Sequence, residues 1–112
     1  MTREQVEAVA LGLPAATRVV QWGGSDVYKV GGKVFAICGL AGGLSFKVTP
    51  IGFVALTEGR PGRQAPYCAK GHWVAVELDA ASDADITDWL TNAHALIAGK
   101  LTRRARLELG LA

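Results

Sequence analysis

Three short segments constrain the fold most: Asp26 to Val30, Leu44 to Thr49 and His72 to Leu78. In each, apolar residues alternate with Lys, Ser, Thr or Trp. Strand side chains point alternately to opposite faces, so a sheet built from these segments buries one face and displays the other. Leu44, Phe46 and Val48 must point together, as must Val74, Val76 and Leu78. If those six face a helical layer, Ser45, Lys47, Thr49, Trp73, Ala75 and Glu77 face outward. Tyr28 and Val30 then go inward and Lys29 outward. A tryptophan and several lysines on an uncovered face read as a binding surface.

Punctuation between the segments gives the element order. Thr2 and Gln5 have capping-box spacing, with Val6, Val9, Ala10 and Leu13 on one face of a first helix that Gly12 and Pro14 stop. Thr17 to Trp22 is rich in β-branched residues and reads as a first strand. Gly31-Gly32 reads as a two-residue hairpin link, because both positions can adopt positive φ. Lys33 to Gly39 is a largely apolar strand, and Ala41-Gly42-Gly43 makes the next turn. Pro50 can open a short helix over Ile51 to Glu58. Gly59 to Gly71 reads as a loop in which Ala65 to Ala69 pairs briefly as an edge. Ser82 starts a long helix with Asp83, Asp85 and Asp88 at its N-terminus, where negative charge suits the dipole. Its stripe is Ile86, Trp89, Leu90, Ala93, Ile97 and Leu101. The expected architecture is α+β: a two-layer sandwich whose antiparallel sheet of about five strands carries the N- and C-terminal helices on one face. At 112 residues, the chain reads as a single domain spanning residues 1 to 112.

Half the residues are hydrophobic and the formal charge is only +2, which does not by itself announce a nucleic-acid binder. Arg60, Arg63 and Lys70 gather in one acid-free stretch, and Lys100, Arg103, Arg104 and Arg106 in another. No apolar run approaches a membrane span of about 20 residues. The start does not read as a signal peptide, so cytoplasmic residence is the expectation, with Cys38 and Cys68 as reduced thiols. Trp22 and Trp89 read as core or half-core. His72 and His94 lack ligands at metal spacing, and no nucleophile elbow or phosphate loop is present. The expectation is therefore a non-enzymatic chain without metal or other cofactor.

KVGGKVFAI at 29 to 37, LSFKVTP at 44 to 50, KGHWVAVELD at 70 to 79 and the final helix with its Lys100-Leu101 end resemble the hallmark segments of the MmcQ/YjbR family. The matching positions include Lys33, Lys47, His72 and Trp73. Thr91-Asn92-Ala93-His94 departs from the family, which often has an acidic or Ser-Tyr pair there. The resemblance implies a CyaY-like (frataxin-like) fold and a DNA-binding protein with a double-wing arrangement. On the residues themselves, Lys29, Lys33, Lys47 and Lys70 would meet phosphates, with Arg103 and Arg104 as a further basic segment, and Trp73 would stack on a base or wedge. A protein partner anchored by the same face is the alternative. Iron binding, as in frataxin, is weaker because capping explains the aspartates. A monomer without membrane attachment is expected.

Overall fold

In a computed structural model, residues 1–58 and 62–111 are described; the loop expected at Gly59, Arg60 and Pro61 lies outside them. The elements run α1 (Arg3–Leu11), β1 (Ala16–Gln21), β2 (Ser25–Val30), β3 (Lys33–Cys38), β4 (Gly43–Lys47), α2 (Pro50–Thr57), β5 (Arg63–Gln64), β6 (Trp73–Glu77), a 3₁₀ turn (Leu78–Ala80), α3 (Asp83–Ala98) and α4 (Arg103–Glu108). The strands form one antiparallel sheet in the order β1-β2-β3-β4-β6-β5. Six strands thus replace the expected five. The extra edge is the two-residue β5, just before the Ala65–Ala69 stretch where pairing was expected.

The caps expected at Thr2 and Ser82 form, and Thr49, expected as the last residue of a strand, is the cap of α2. The Thr2 hydroxyl accepts from the Gln5 amide while the Thr2 amide donates to Gln5 Oε1 at 2.8 Å. Thr49 caps α2 above Pro50, accepting from the Gly52 amide. Ser82 caps α3 by accepting from the Asp85 amide. The final helix differs from expectation. It stops at Ala98, with Gly99 as its C-cap, and Thr102 caps a separate α4 by accepting from the Ala105 amide. A second cap four residues past the first helix end bends the chain.

One face of the sheet holds the core. Tyr28, Val30, Phe35, Ala36, Cys38, Leu44, Phe46, Val74 and Val76 pack there against Val6 and Ala10 of α1 and Ile86, Leu90, Ala93 and Ile97 of α3. Register slips between Tyr28 and Lys29, opposite Phe35 and Ala36. This β-bulge lets two consecutive side chains, Phe35 and Ala36, both enter the core. Buried Asp26 ties α1 to the sheet, accepting from Arg3 at 2.8 Å and Arg18 at 3.3 Å; Arg18 also reaches Glu7 at 2.6 Å. The fold is therefore the expected two-layer α+β sandwich. Its other sheet face carries no helix among the described residues.

Candidate functional site: the open face of the sheet

Strand pairing places the outward residues in rows. Val19, Val27, Ile37, Ser45, Ala75 and Arg63 are successive cross-strand partners. Next to them lie Thr17, Lys29 and Val34 on one side of the bulge and the direct pair Lys47 and Trp73 on the other. The register expected for Lys29, Lys47 and Trp73 holds, because alternation fixes it wherever one face is buried.

A cleft of about 790 Å³ occupies the open face, within the usual range for binding sites. Val34, Ile37, Ser45 and Ala75 are among the strand residues beneath it. One wall is the turn carrying Trp22, and the other is the loop carrying Pro66, Tyr67 and Cys68 ahead of Trp73. Gln64 staples that loop: its amide nitrogen donates to the carbonyls of Ala65 and Cys68, and its oxygen accepts from the Gly71 amide at 3.0 Å. Trp22 is 64% exposed and Tyr67 fully so. Trp22 is thus a cleft residue, correcting its assignment to the core. It stands one residue past the end of β1, at φ 50° and beside the Gly23-Gly24 turn, so strand alternation no longer aims it. That neighbouring turn was the available signal, whereas nothing singled out Tyr67.

The cations distribute less simply. Arg63, the only charged residue lining the cleft among the described residues, bonds to Glu77 at 3.1 Å. Lys47 shares its row with Trp73 but does not line the cleft; it borders a second groove on the helical side. Burial, then the neighbouring Lys100 ammonium, pushes the Lys47 ammonium below its usual range. Lys33 is exposed at the β2–β3 hairpin, against which Leu101 packs at Gly31. Lys33, Lys47 and Lys100 therefore gather around one end of the sheet. Lys70 is exposed on the stapled loop. Arg103 and Arg104 lie on α4, outside the cleft, and Arg104 bonds to Glu108 along that helix. Among the described residues, Lys29, Lys33, Lys47, Lys70 and Lys100 make no ion pair.

In the departing segment of the last helix, His94 is buried edge-on to Phe35, with Nε2 2.7 Å from the Pro14 carbonyl. Donation to that carbonyl places the proton on Nε2 and makes His94 a clamp on the α1–β1 turn. Asn92 borders the second groove. Burial also raises the Cys68 thiol in the cleft wall. Among the described residues, no three His, Cys, Asp or Glu side chains converge as metal ligands, and no helix is long and apolar enough to cross a membrane.

The sequence model of the YjbR family matches residues 11–96. The chain belongs to the YjbR family. A crystal structure of a Deinococcus radiodurans protein with a DUF419 domain is similar to this YjbR-family chain at a TM-score of 0.90 and 26% identity, covering 99% of this chain and 89% of that one. A Pseudomonas syringae protein shares the fold at a TM-score of 0.72 and 19% identity, over 87% of this chain and 99% of its own. No curated protein matches the chain.

Proposed function

We propose that this YjbR-family chain is a non-catalytic, cytoplasmic, monomeric nucleic-acid-binding module that takes single-stranded or locally opened DNA on the open face of its sheet. The observation that carries this reading is the cleft lined by Trp22, Tyr67 and Trp73, with Lys29 paired to Val34 and Lys47 to Trp73 in the adjoining row and neither lysine in an ion pair among the described residues. Bases stack on such rings at about 1–3 kcal/mol each. Phosphates run along Lys29, Lys70 and the basic end of the sheet formed by Lys33 and Lys47, with Arg103 and Arg104 beyond it. The β2–β3 and β3–β4 hairpins are the elements that a double-wing docking would use. No side-chain set aims a bidentate pattern at a base edge, so recognition depends weakly on sequence.

Fluorescence anisotropy with a labelled 12-nucleotide single strand tests it. The expected affinity is about micromolar or weaker, falling severalfold between 50 and 200 mM salt as counterions are released. Trp73→Ala weakens it about tenfold, and Lys29→Glu flattens the salt slope. Absence of binding at 50 mM salt, or full affinity in Trp73→Ala, overturns the reading.

The apolar cleft, whose one charge among the described residues is already paired, favours a protein segment anchored by Trp73 as the second reading. Binding of a partner that withstands high salt, is lost in Trp73→Ala and ignores Lys29→Glu would select it.

A further inference from the structure

The two walls of the open-face cleft are held differently. Gln64 staples the loop that carries Tyr67, whereas the turn that carries Trp22 is held from the opposite layer. Trp22, Gly23 and Gly24 have φ of 50°, 74° and 101° in this turn between β1 and β2. Two consecutive glycines leave a turn many conformations, so outside contacts must select the one that stands Trp22 beside the cleft. Packing contributes little: a Cβ at Gly24 would lie 3.0 Å from a Leu40 methyl, but Leu40 itself is 67% exposed. Among the described residues, two side chains bond to the turn. Ser25 Oγ donates to the Trp22 carbonyl at 3.5 Å, the outer limit of such a bond. Arg3 Nη2 donates to the Gly24 carbonyl at 3.1 Å, and this bond is partly buried and charge-assisted.

Arg3 is not a cleft residue. It opens α1 and lines a small pocket between that helix and the sheet with Glu4, Glu7, Arg18 and Asp26. Its backbone is fixed by the Thr2–Gln5 capping box and by Val6 and Ala10 in the core. Its guanidinium is fixed by buried Asp26, whose carboxylate lies 2.8 Å from the same Nη2. Asp26 has a second cation in Arg18 at 3.3 Å. Arg18 bonds onward to Glu7, whereas Arg3 reaches Gly24. One nitrogen thus connects a rigid helix and a buried carboxylate to the backbone of a glycine turn.

We propose that Arg3 is a positioning residue for the open-face cleft, holding the β1–β2 turn through the Gly24 carbonyl and thereby the Trp22 indole. A ring held in its bound place before the ligand arrives gains affinity, because its ordering is already complete. The effect on binding rests on the nucleic-acid reading above; the effect on Trp22 does not.

Arg3→Met and Arg18→Met separate positioning from support. Both remove one cation from Asp26 and should lower the urea midpoint, but only Arg3→Met frees Gly24. The probe is the indole N–H signal of each tryptophan, whose heteronuclear NOE reports ring motion on the ps–ns scale. In Arg3→Met the Trp22 NOE is expected to fall, while those of Trp73 and Trp89 stay. Affinity for the labelled single strand should fall about fivefold, a part of what losing one base stack costs. Arg18→Met should leave the Trp22 NOE and the affinity as they are in the unaltered chain. If Arg3→Met does not fold, Arg3→Lys decides: it keeps a charge for Asp26 on a shorter side chain and should give the same Trp22 change. An unchanged Trp22 NOE in the Arg3 variant, or equal changes in the Arg18 variant, overturns the proposal. A chain that binds no single strand yet loses Trp22 order in Arg3→Met sinks the nucleic-acid reading and upholds the positioning role.

Discussion

Trp22 and Tyr67 hold backbone φ angles of 50° and 62°. For residues with a Cβ, the left-handed region costs about 1–2 kcal/mol. Ala15 is the only other non-glycine residue there among those described, and it sits in the α1–β1 turn that His94 clamps. Strain is therefore concentrated on two of the three aromatics of the open-face cleft, where stability is spent to aim rings outward. Tyr67 separates the two effects because its exposed side chain packs on nothing that folding requires. Tyr67→Gly should raise stability by about 1 kcal/mol in urea unfolding while weakening single-strand binding severalfold. A loss of stability in this variant would show that the ring is structural. The sequence could not supply this argument. Lys29, Lys47 and Trp73 were legible because they lie inside strands, whereas Trp22 and Tyr67 sit in turns, whose backbone alone decides where they point.

Among the elements, the β2–β3 hairpin carries the most consequence because it meets the end of α3. Its two glycines have φ of 59° and 77°, so an alanine at either bears a similar conformational penalty. Their surroundings differ. A Cβ at Gly31 would lie 2.6 Å from a Leu101 methyl, whereas at Gly32 it would meet nothing within 4 Å. Gly31→Ala should therefore cost more than Gly32→Ala, by about 1–2 kcal/mol, because it overpacks the junction of hairpin and helix. Urea midpoints for the two variants check this ordering; equal losses would mean that Leu101 yields freely. The Gly-Gly pair announced the hairpin, and Thr2, Pro50 and Ser82 announced their helices, since each signal is local. The bulge at Phe35 and the break at Gly99 were not legible. Both depend on contacts across the sheet and beyond the last turn: Phe35 is drawn into the core, and Thr102 restarts the helix in a new direction.

For the whole molecule, alkaline pH should act through the core. Burial raises the Tyr28 phenol and the Cys38 thiol above their ordinary values of 10.0 and 9.0, with Asp26 adding to the shift at both sites and Arg3 opposing it at Cys38. The unfolded chain releases these protons at ordinary pH values, while the fold retains them. Their contribution is thus complete below about pH 9 and is lost as pH rises toward the folded values, with a slope of at most about 1.4 kcal/mol per pH unit for each group. Lys47, held below its usual range, acts in the opposite direction, but from the partly solvated rim. Tyr28 adds a separate cost, because its buried hydroxyl has no hydrogen-bond partner among the described residues. Tyr28→Phe should then stabilise the chain by about 1 kcal/mol at neutral pH, and by more above pH 10, where ionisation of the unaltered phenol favours the unfolded chain and a phenylalanine ring gives it no such gain. That last comparison has a strict sign: the alkaline decline belongs to the titrating phenol, so the Phe variant's urea midpoint should fall less between pH 9 and 10.5 than that of the unaltered chain. Parallel decline in both proteins would remove Tyr28 from the account and leave Cys38 as the group to replace by alanine.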